Sequence, residues 1–232
     1  MIVGSGLVAR AFLAHAEQLP SACIYAAGVS NSSCVDPREF AREQQRLEQA
    51  LDANRDASCF LYFSTCSTSD PDLLASAYVV HKLRMEERVR AHPRHLILRL
   101  PQLAGLTPNP HTLLNYLHAR IVRSERFQIW SRAQRNIIDV DDVARIALDL
   151  VLTEHAQRET INVAAPRSAT IGEITAAMEQ VLGRRAIYDS IDRGSAYVID
   201  TSRTSPSLDR LGLSFPPDYL HDVIAKYYAR HV

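Results

Sequence analysis

The hydrophobic positions of the chain cluster in short runs that are separated by longer segments of mixed polarity. Continuous apolar runs are typical of strands buried on both faces, and the segments between them place apolar residues at helical spacing. After a very short first strand in MIV, the strand-like runs are ACIYAAG, ASCFLYFST, HLILRL and INVAA. We therefore predict an α/β fold in which helices cover both faces of a doubly wound parallel sheet.

Several of the segments between the strands carry recognisable helix ends. DPREFAREQQRLEQALDA is predicted to be a solvent-facing amphipathic helix with a proline in its first turn. Asn109 is predicted to cap a helix in NPHTLLNYLHARIVRS, and the acidic first turn after NIIDVDD suits the helix dipole. Thr170 and Glu173 have capping-box spacing, and Gly183 is expected to end that helix.

The first turn of the chain has a glycine pattern that is typical of a Rossmann-like fold. Gly4, Gly6 and Ala9 fit G-x-G-x-x-[GA] between a strand and a helix. The first glycine permits the tight turn, the second lets the backbone approach a pyrophosphate, and the small last residue lets helix and strand pack closely. The residues predicted to bind a dinucleotide cofactor at this turn are Gly4, Ser5, Gly6, Leu7 and Val8.

The segment that follows this turn is too short for a complete sheet. About twenty residues separate Gly6 from Ala26, and one helix and one strand fill them. The usual second and third strands are therefore predicted to be missing, together with the acidic residue that normally holds the adenosine ribose. The choice between NAD and NADP stays open, with a slight preference for NAD.

The chain is predicted to divide into one larger and one smaller part. Residues 1–105 and about 137–164 would form a dinucleotide-binding domain around the parallel sheet. Residues 106–136 and about 165–232 would form a smaller lobe that binds the substrate. The two parts are interleaved in sequence, so neither is a continuous segment.

A tyrosine and a lysine lie four residues apart in YVVHK, just after the hydroxyl-rich stretch YFSTCSTS. On a helix this spacing places Tyr78 and Lys82 on one face. An ammonium group beside a phenol favours the phenolate and lowers its pKa, which would let Tyr78 exchange a proton with a substrate. Ser64 and Thr65 end the preceding strand and would orient the substrate oxygen. The position of this group in the second half of a dinucleotide fold favours catalysis over a chance pairing.

The composition argues against several other functions. The chain has 232 residues, of which 47% are hydrophobic, and its formal net charge is zero. Broad attraction to nucleic acid or to anionic lipid is therefore not expected, and the arginines from position 120 to position 135 are interpreted as a solvated face with one or two diphosphate contacts. No metal site is expected, because the four cysteines form no CxxC pair and His92 and His95 straddle a proline. No apolar run could span a bilayer and no signal peptide is recognisable, so a cytoplasmic location is expected.

These motifs together resemble the extended short-chain dehydrogenase/reductase superfamily, in its NAD-dependent nucleotide-sugar epimerase/dehydratase branch, with a shortened N-terminal half. The matching segments cover nearly the whole chain: GSGLVA, YAAGVSNS, FLYFSTCS, YVVHK, LILRLPQLAG, RNIIDVDDVARI and DTSRTSPSLDRLGL. The resemblance implies a nicotinamide cofactor and a nucleotide-sugar substrate. It also implies pairing through a helix bundle that includes the tyrosine helix, and the apolar LLASAYVV is compatible with such a homodimer.

The resemblance further implies a role for each matching residue. Tyr78 would be the general acid–base, Lys82 its partner and a ligand of the nicotinamide ribose, and Thr65 the hydroxyl on the reacting oxygen, with Ser64 as second choice. Further cofactor contacts are implied for Ala27, Gly28, Pro101 and Leu103. Substrate contacts are implied for Thr65, Cys66, Asn115 and Arg135. Arginine suits a diphosphate because its planar fork binds two oxygens at once.

The implied reaction is hydride transfer between the nicotinamide and a sugar carbon, by keto-sugar reduction or epimerisation, in surface-polysaccharide biosynthesis. A 4,6-dehydratase is disfavoured, because TCST lacks the Asp–Glu pair that such an enzyme carries after the residue matching Thr65. Two alternatives stay open. The missing strands suggest a degenerate binding or regulatory protein without turnover, and the Tyr–Lys pair would also suit a short-chain reductase of a non-sugar carbonyl.

Overall fold

The computed structural model describes residues 1–19, 21–153 and 157–229. Five strands form its central sheet: β1 (Ile2–Val3), β2 (Ala22–Tyr25), β3 (Cys59–Thr65), β4 (His95–Leu100) and β9 (Glu159–Asn162). They are hydrogen-bonded in the order β1-β2-β3-β4-β9, and every pair is parallel. The α/β class and the doubly wound parallel sheet predicted from the apolar runs are thereby confirmed.

Helices connect the strands and cover both faces of the sheet. The helices are α1 (Leu7–Ala11), α2 (Pro37–Ala53), α3 (Ala77–Arg90), α4 (Leu113–Val122), α5 (Val140–Leu152), α6 (Ile171–Leu182), α7 (Ser205–Leu211) and α8 (Tyr219–Tyr228). Short 3₁₀ helices span Leu13–Gln18, Cys66–Ser69 and Ser202–Thr204. The first helix, α1, has only five residues and is followed directly by the first 3₁₀ helix.

Three two-stranded sheets lie outside the central one. Their strands are β5 (Gln102–Ala104), β6 (Phe127–Trp130), β7 (Gln134–Arg135), β8 (Ile137–Asp139), β10 (Ala169–Thr170) and β11 (Tyr188–Ile191). They pair as β5 with β8, β7 with β10 and β6 with β11. Together with α4, α6 and α8 these strands surround an apolar core of their own, which includes Leu114, Phe127, Ile174 and Ile224.

The two faces of the central sheet carry separate cores, because successive side chains of a strand point to opposite faces. Leu61 and Phe63 of β3 pack on the face covered by α5. Phe60 and Tyr62 of the same strand pack on the face covered by α2 and α3. All seven residues of β3 are buried, as expected for the middle strand of a parallel sheet.

The sheet ends at β1, as the short N-terminal half predicted. Within the described residues β1 pairs with β2 alone, so the usual second and third strands are missing beside it. The carboxyl ends of β1, β2 and β3 are nevertheless in register, with Val3 opposite Tyr25 and Tyr25 opposite Tyr62. The turns that follow these three strands therefore meet at one edge of the sheet.

Most of the predicted helix ends are found. The Thr170 and Glu173 capping box forms, and Gly183 ends α6 with a left-handed φ of 60°. Asp139 caps the acidic first turn of α5 by accepting a hydrogen bond from the Asp141 backbone. The prediction that Asn109 caps α4 was wrong. The Thr112 hydroxyl caps that helix instead, and the Asn109 side chain closes a turn by accepting from the His111 backbone.

Candidate active site

A cavity of about 400 Å³ lies at the carboxyl ends of the central strands. It brings together most of the predicted site residues, namely Gly4, Ser5, Gly6, Leu7, Val8, Ala27, Gly28, Ser64, Thr65, Tyr78, Lys82, Pro101 and Leu103. A second cavity of about 510 Å³ adjoins it, and residues such as Gln102, His111 and Thr112 line both. Arg135 lines the second cavity, whereas Cys66 and Asn115 line neither.

The glycine turn forms one wall of the first cavity. Gly4 has a φ of 125°, and a Cβ at this position would lie 2.4 Å from the Ala26 carbonyl oxygen, so only glycine fits. A Cβ on Gly6 would meet no atom within 4 Å, because its backbone faces open space. The turn therefore presents bare backbone to the cavity, as the binding of a dinucleotide's phosphates requires.

Tyr78 lies in the first turn of α3, which the Ser76 hydroxyl caps. The ring lines the cavity, and the residue is 7% exposed. Burial and the negative charge of Glu43 raise the pKa of Tyr78, and a hydrogen bond with the Thr65 side chain lowers it by less. The expected lowering of the Tyr78 pKa by Lys82 is therefore not found, because burial and the carboxylate that accompanies the ammonium group both raise the pKa.

Lys82 is buried, and protein atoms occupy all of its donors. The ammonium nitrogen donates to Glu43 Oε1 at 3.0 Å, to the Tyr62 hydroxyl at 2.9 Å and to the Phe63 carbonyl at 3.2 Å. An ammonium group has three N–H donors. A ribose hydroxyl can therefore accept from Lys82 only if one of these three bonds is given up.

Glu43 is a buried residue next to the candidate site that the sequence analysis missed. It lies on α2, is 1% exposed and accepts four hydrogen bonds. The donors are the Val29 backbone at 2.7 Å, the Tyr62 hydroxyl at 2.8 Å, Lys82 at 3.0 Å and His81 Nε2 at 3.0 Å. Burial alone would raise the pKa of Glu43, but the charge of Lys82 and these hydrogen bonds outweigh burial and lower the pKa to about 2.

A signal for Glu43 was present in the sequence. It stands three residues after Phe40 and four before Leu47, on the apolar stripe of an otherwise polar helix. A carboxylate on such a stripe is buried when the helix packs, and a buried carboxylate requires donors. Its partners cannot be read from the sequence, because they come from the loop after β2, from β3 and from α3.

Three of the predicted site residues have other contacts in the structure. The Ser64 hydroxyl donates to Glu86 Oε1 at 2.6 Å, in a buried group that also contains Arg99. The Cys66 thiol is fully buried and donates to the Arg99 carbonyl at 3.2 Å. Asn115 donates to two backbone carbonyls of the loop before α4. The geometry gives no support to a substrate contact by Cys66 or Asn115, and it favours Thr65 over Ser64.

Arg135 lies in β7 on the wall of the second cavity. Its Nη1 is 3.5 Å from Asp70 Oδ2 and donates to the Gln134 carbonyl at 2.7 Å, which fixes one edge of the guanidinium group. Three of the other arginines in the basic stretch form ion pairs with acidic residues: Arg120 with Glu125, Arg126 with Asp189 and Arg132 with Asp192. This pairing agrees with the interpretation of the stretch as a solvated face.

The described residues show neither a cluster of metal ligands nor a membrane-spanning helix. In residues 1–19, 21–153 and 157–229, no group of three or more His, Cys, Asp or Glu side chains could hold a metal ion. None of the helices in the same ranges combines the length and the apolar character needed to span a membrane.

The fold is similar to that of several solved structures. UDP-glucuronic acid 4-epimerase from Bacillus cereus, in complex with UDP-glucuronic acid and NAD, has a TM-score of 0.74 at 20% identity over 92% of this chain and 76% of its own. RMD from Pseudomonas aeruginosa, complexed with NADPH, has a TM-score of 0.68 at 19% identity over 93% and 83%. WbmH from Bordetella bronchiseptica, in complex with NAD⁺, has a TM-score of 0.68 at 18% identity over 97% and 80%.

The sequence itself gives a family assignment. No curated protein sequence matches the chain. The model of the NAD dependent epimerase/dehydratase family matches residues 8–164, which is more than half of the chain. This match confirms the resemblance found in the sequence motifs and the expectation of a nicotinamide cofactor. The chain belongs to the NAD dependent epimerase/dehydratase family.

Proposed function

We propose that the protein is an NAD(P)-dependent enzyme that reduces or epimerises a nucleotide-activated sugar, with Tyr78 as its acid–base group. The observation that supports this most directly is a single cavity with the glycine turn on one wall and Thr65 and Tyr78 on another. The adjoining cavity, which Arg135 lines, is placed to hold the rest of a large substrate. Surface-polysaccharide biosynthesis is the pathway class that we propose for such a reaction.

The residues present fit a nicotinamide cofactor. The bare backbone of the glycine turn would hold its phosphates, while Ala27, Gly28, Pro101 and Leu103 would flank its nicotinamide half. When bound, the nicotinamide ring would exchange a hydride with the substrate carbon. We propose that residues 106–136 and about 165–232 form the lobe that holds the sugar nucleotide.

The chain's own chemistry is proton transfer at the Tyr78 hydroxyl. Burial and Glu43 raise the pKa of Tyr78, so the phenol is protonated at neutral pH and can donate to the oxygen of a keto sugar. In the oxidative direction the same group has to lose its proton first, and a positively charged ring nearby would favour that loss. Thr65, which hydrogen-bonds to Tyr78, is placed to orient the substrate oxygen.

The ligands bound in two similar structures support this substrate class. The Bacillus cereus structure contains UDP-glucuronic acid and NAD, and that of MoeE5 contains UDP-glucose and NAD. Both ligands are sugars joined to a nucleoside diphosphate. A diphosphate suits an arginine such as Arg135, whose planar fork binds two oxygens at once.

A second candidate function is favoured by the geometry of Lys82. All three of its donors are bonded to protein atoms, and the sheet lacks the strands that normally hold adenosine. Both features suit a binding or regulatory protein that has kept the fold without turnover. The two candidates differ in whether a cofactor and a substrate react in the cavity.

Calorimetry and turnover assays separate these candidates. We expect at least one of NADH and NADPH to bind below millimolar concentration, and at least one member of a panel of UDP-, GDP- and dTDP-sugars to turn over. Binding of a cofactor without turnover of any panel member would favour the binding protein. Failure of every nicotinamide cofactor to bind up to about millimolar would overturn the proposed function, because typical KM values lie below that concentration.

Arg135→Ala is expected to raise the KM of the nucleotide sugar by about tenfold to a hundredfold, because a hydrogen bond to a charged group contributes about 1.5–3 kcal/mol. The kcat should change much less, since the diphosphate is remote from the reacting carbon. Steady-state kinetics with the sugar that turns over measures both parameters.

Arg132→Ala is the matched control for this prediction. Arg132 lies three residues earlier, is exposed, pairs with Asp192 at 3.0 Å and lines neither cavity. Its removal should leave KM unchanged. An unchanged KM in Arg135→Ala as well would point to a substrate without a diphosphate, such as a non-sugar carbonyl.

A further inference from the structure

Arg46 is an arginine of the first cavity that has no hydrogen-bond or ion-pair partner among the described residues. It lies on α2, its side chain is exposed, and it lines the cavity together with Gly4, Ser5 and Gly6. Within the described part of the chain, Arg46 makes no hydrogen bond and no ion pair. Arg42, Arg88 and Arg90 on α2 and α3 pair with carboxylates, whereas an unpaired arginine on a cavity wall is open to an anionic ligand.

The orientation of α2 places Arg46 towards the open edge of the sheet. The buried stripe of α2 consists of Glu43, Leu47 and Ala50. Glu48 lies on one flank of this stripe and pairs with Arg88 of α3 at 3.0 Å, so that flank faces α3. Arg46 precedes Glu48 by two positions, or about 200° around the helix, and therefore lies on the opposite flank.

That opposite flank lies above β1 and β2. The helix α3 packs over β3 and β4, and α2 lies beside it on the same face of the sheet. Burial and Glu43 raise the pKa of Tyr25, and the charge of Arg46 partly opposes them, which places the guanidinium group near the end of β2. Arg46 is therefore close to the point where β1 enters the glycine turn.

This point is where a complete Rossmann-like sheet holds the adenosine ribose. The strand that follows the first helix normally lies beside β1, and a residue at the end of that strand contacts the adenosine ribose. A carboxylate there binds the 2′-hydroxyl of NAD, whereas a nearby arginine accommodates the 2′-phosphate of NADP. In this protein β1 is an edge strand, and α2 brings a charged side chain to the cavity that the glycine turn lines.

The charges around the cavity favour a phosphate over a hydroxyl. Among the described residues that line it, none is aspartate or glutamate, and the two with fixed positive charge are Arg46 and Lys82. Glu43 neutralises Lys82 at 3.0 Å. Arg46 therefore contributes a positive charge that pairs with no carboxylate in the described part of the chain, and no lining carboxylate there would repel an additional phosphate.

We propose that Arg46 binds the 2′-phosphate of the adenosine ribose and makes the protein selective for NADP(H) over NAD(H). The planar guanidinium fork can donate two parallel hydrogen bonds to one phosphate, which a ribose hydroxyl cannot accept in the same way. This assignment rests on the proposed function, because it requires a nicotinamide dinucleotide in this cavity. In this assignment, a side chain of α2 has the role that a residue of the missing strand has in a complete sheet.

The test is the ratio of dissociation constants for NADPH and NADH, measured by calorimetry or by cofactor fluorescence without any substrate. The wild-type protein is expected to bind NADPH at least about tenfold more tightly than NADH, as a charge-assisted bond to phosphate implies. Arg46→Ala is expected to weaken NADPH binding by about tenfold or more and to change NADH binding by less than about twofold. Arg46→Ala should also bind adenosine 2′,5′-bisphosphate more weakly than the wild type does, by the same factor as NADPH. Its binding of 5′-AMP, which has no 2′-phosphate, should change as little as that of NADH.

Arg42→Ala is the control, because Arg42 lies one turn earlier on the same helix, pairs with Glu39 and does not line the cavity. The ratio of the NADPH and NADH dissociation constants in Arg42→Ala should equal that of the wild type. Equal binding of NADH and NADPH by the wild type, or an equal loss of both in Arg46→Ala, would overturn the role of Arg46 and leave the proposed function standing. Binding of neither cofactor would overturn both.

Discussion

Tyr78→Phe is expected to remove turnover while leaving cofactor binding intact. The loss of a general acid–base group costs about 10²- to 10⁴-fold in rate. The aromatic ring that packs in the cavity is retained, so the dissociation constant of the cofactor should change by less than about twofold. Initial rates with the nucleotide sugar that turns over, together with calorimetry for the cofactor, measure both quantities.

Tyr228→Phe provides a matched control for the loss of a buried tyrosine hydroxyl. Tyr228 is 6% exposed, against 7% for Tyr78. Its hydroxyl donates to Asn115 Oδ1 at 2.7 Å, in the apolar core that α4, α6 and α8 surround. Its removal should reduce the free energy of unfolding by about 1 kcal/mol and leave turnover unchanged. Wild-type turnover in Tyr78→Phe would refute Tyr78 as the acid–base group.

The backbone of the site could be predicted because local patterns specify it. The continuous apolar run of β3 indicates a strand buried on both faces, and all seven of its residues are buried. The glycine turn is equally local, since the positive φ of Gly4 and the nearby Ala26 carbonyl both require a residue without a Cβ. The short N-terminal half likewise predicted that β1 would end the sheet.

The side chains at the end of β3 were harder to assign, because two hydroxyls stand next to each other in the sequence. Neighbouring residues of a strand point to opposite faces. Ser64 points to the face of α3, where it donates to Glu86, and Thr65 hydrogen-bonds to Tyr78. Both partners belong to α3, with Tyr78 near its start and Glu86 further along, so the choice depends on how α3 lies along β3, and no local pattern specifies that.

The charged residues of α2 could not be assigned from the sequence for a related reason. The sequence of α2 is that of an amphipathic helix with several glutamates and arginines, and it distinguishes Glu43 only by its place on the apolar stripe. Glu43 becomes a buried centre of hydrogen bonds only because β3 and α3 bring Tyr62 and Lys82 to it, 19 and 39 residues away. Arg46 lines the cavity together with the glycine turn, 40 residues earlier in the chain, and no local pattern indicates that contact.

Glu43 is buried with a charge that must be compensated, and this property gives the second large expected effect. It neutralises Lys82 and accepts hydrogen bonds from His81, Tyr62 and the Val29 backbone. Removing one partner of a buried ion pair leaves the other charge uncompensated, which costs about 3–5 kcal/mol. Glu43→Gln should therefore lower the free energy of unfolding by about that amount, as measured by urea denaturation.

Two further variants separate the effect of the charge from the effect of the shape. Glu48→Gln on the same helix removes a partly exposed carboxylate that pairs with Arg88, and it should cost less than about 1 kcal/mol. The double variant Glu43→Gln with Lys82→Met removes both buried charges and should recover much of the stability lost in the single variant. A double variant no more stable than Glu43→Gln would contradict the ion-pair explanation.

The stability lost in Glu43→Gln should depend on pH in a way that identifies the carboxylate. In the folded protein the pKa of Glu43 is lowered from its usual 4.5 to about 2, so the folded state favours the ionised form. The corresponding stabilisation, about 3 kcal/mol, is fully present above pH 4.5 and is lost as the pH falls through about 2. The difference in unfolding free energy between wild type and Glu43→Gln should therefore be constant near neutral pH and shrink steadily in acid. A difference that stays the same from pH 7 to the acid limit of folding would show that packing, and not the charge of Glu43, holds Lys82 in the cavity wall.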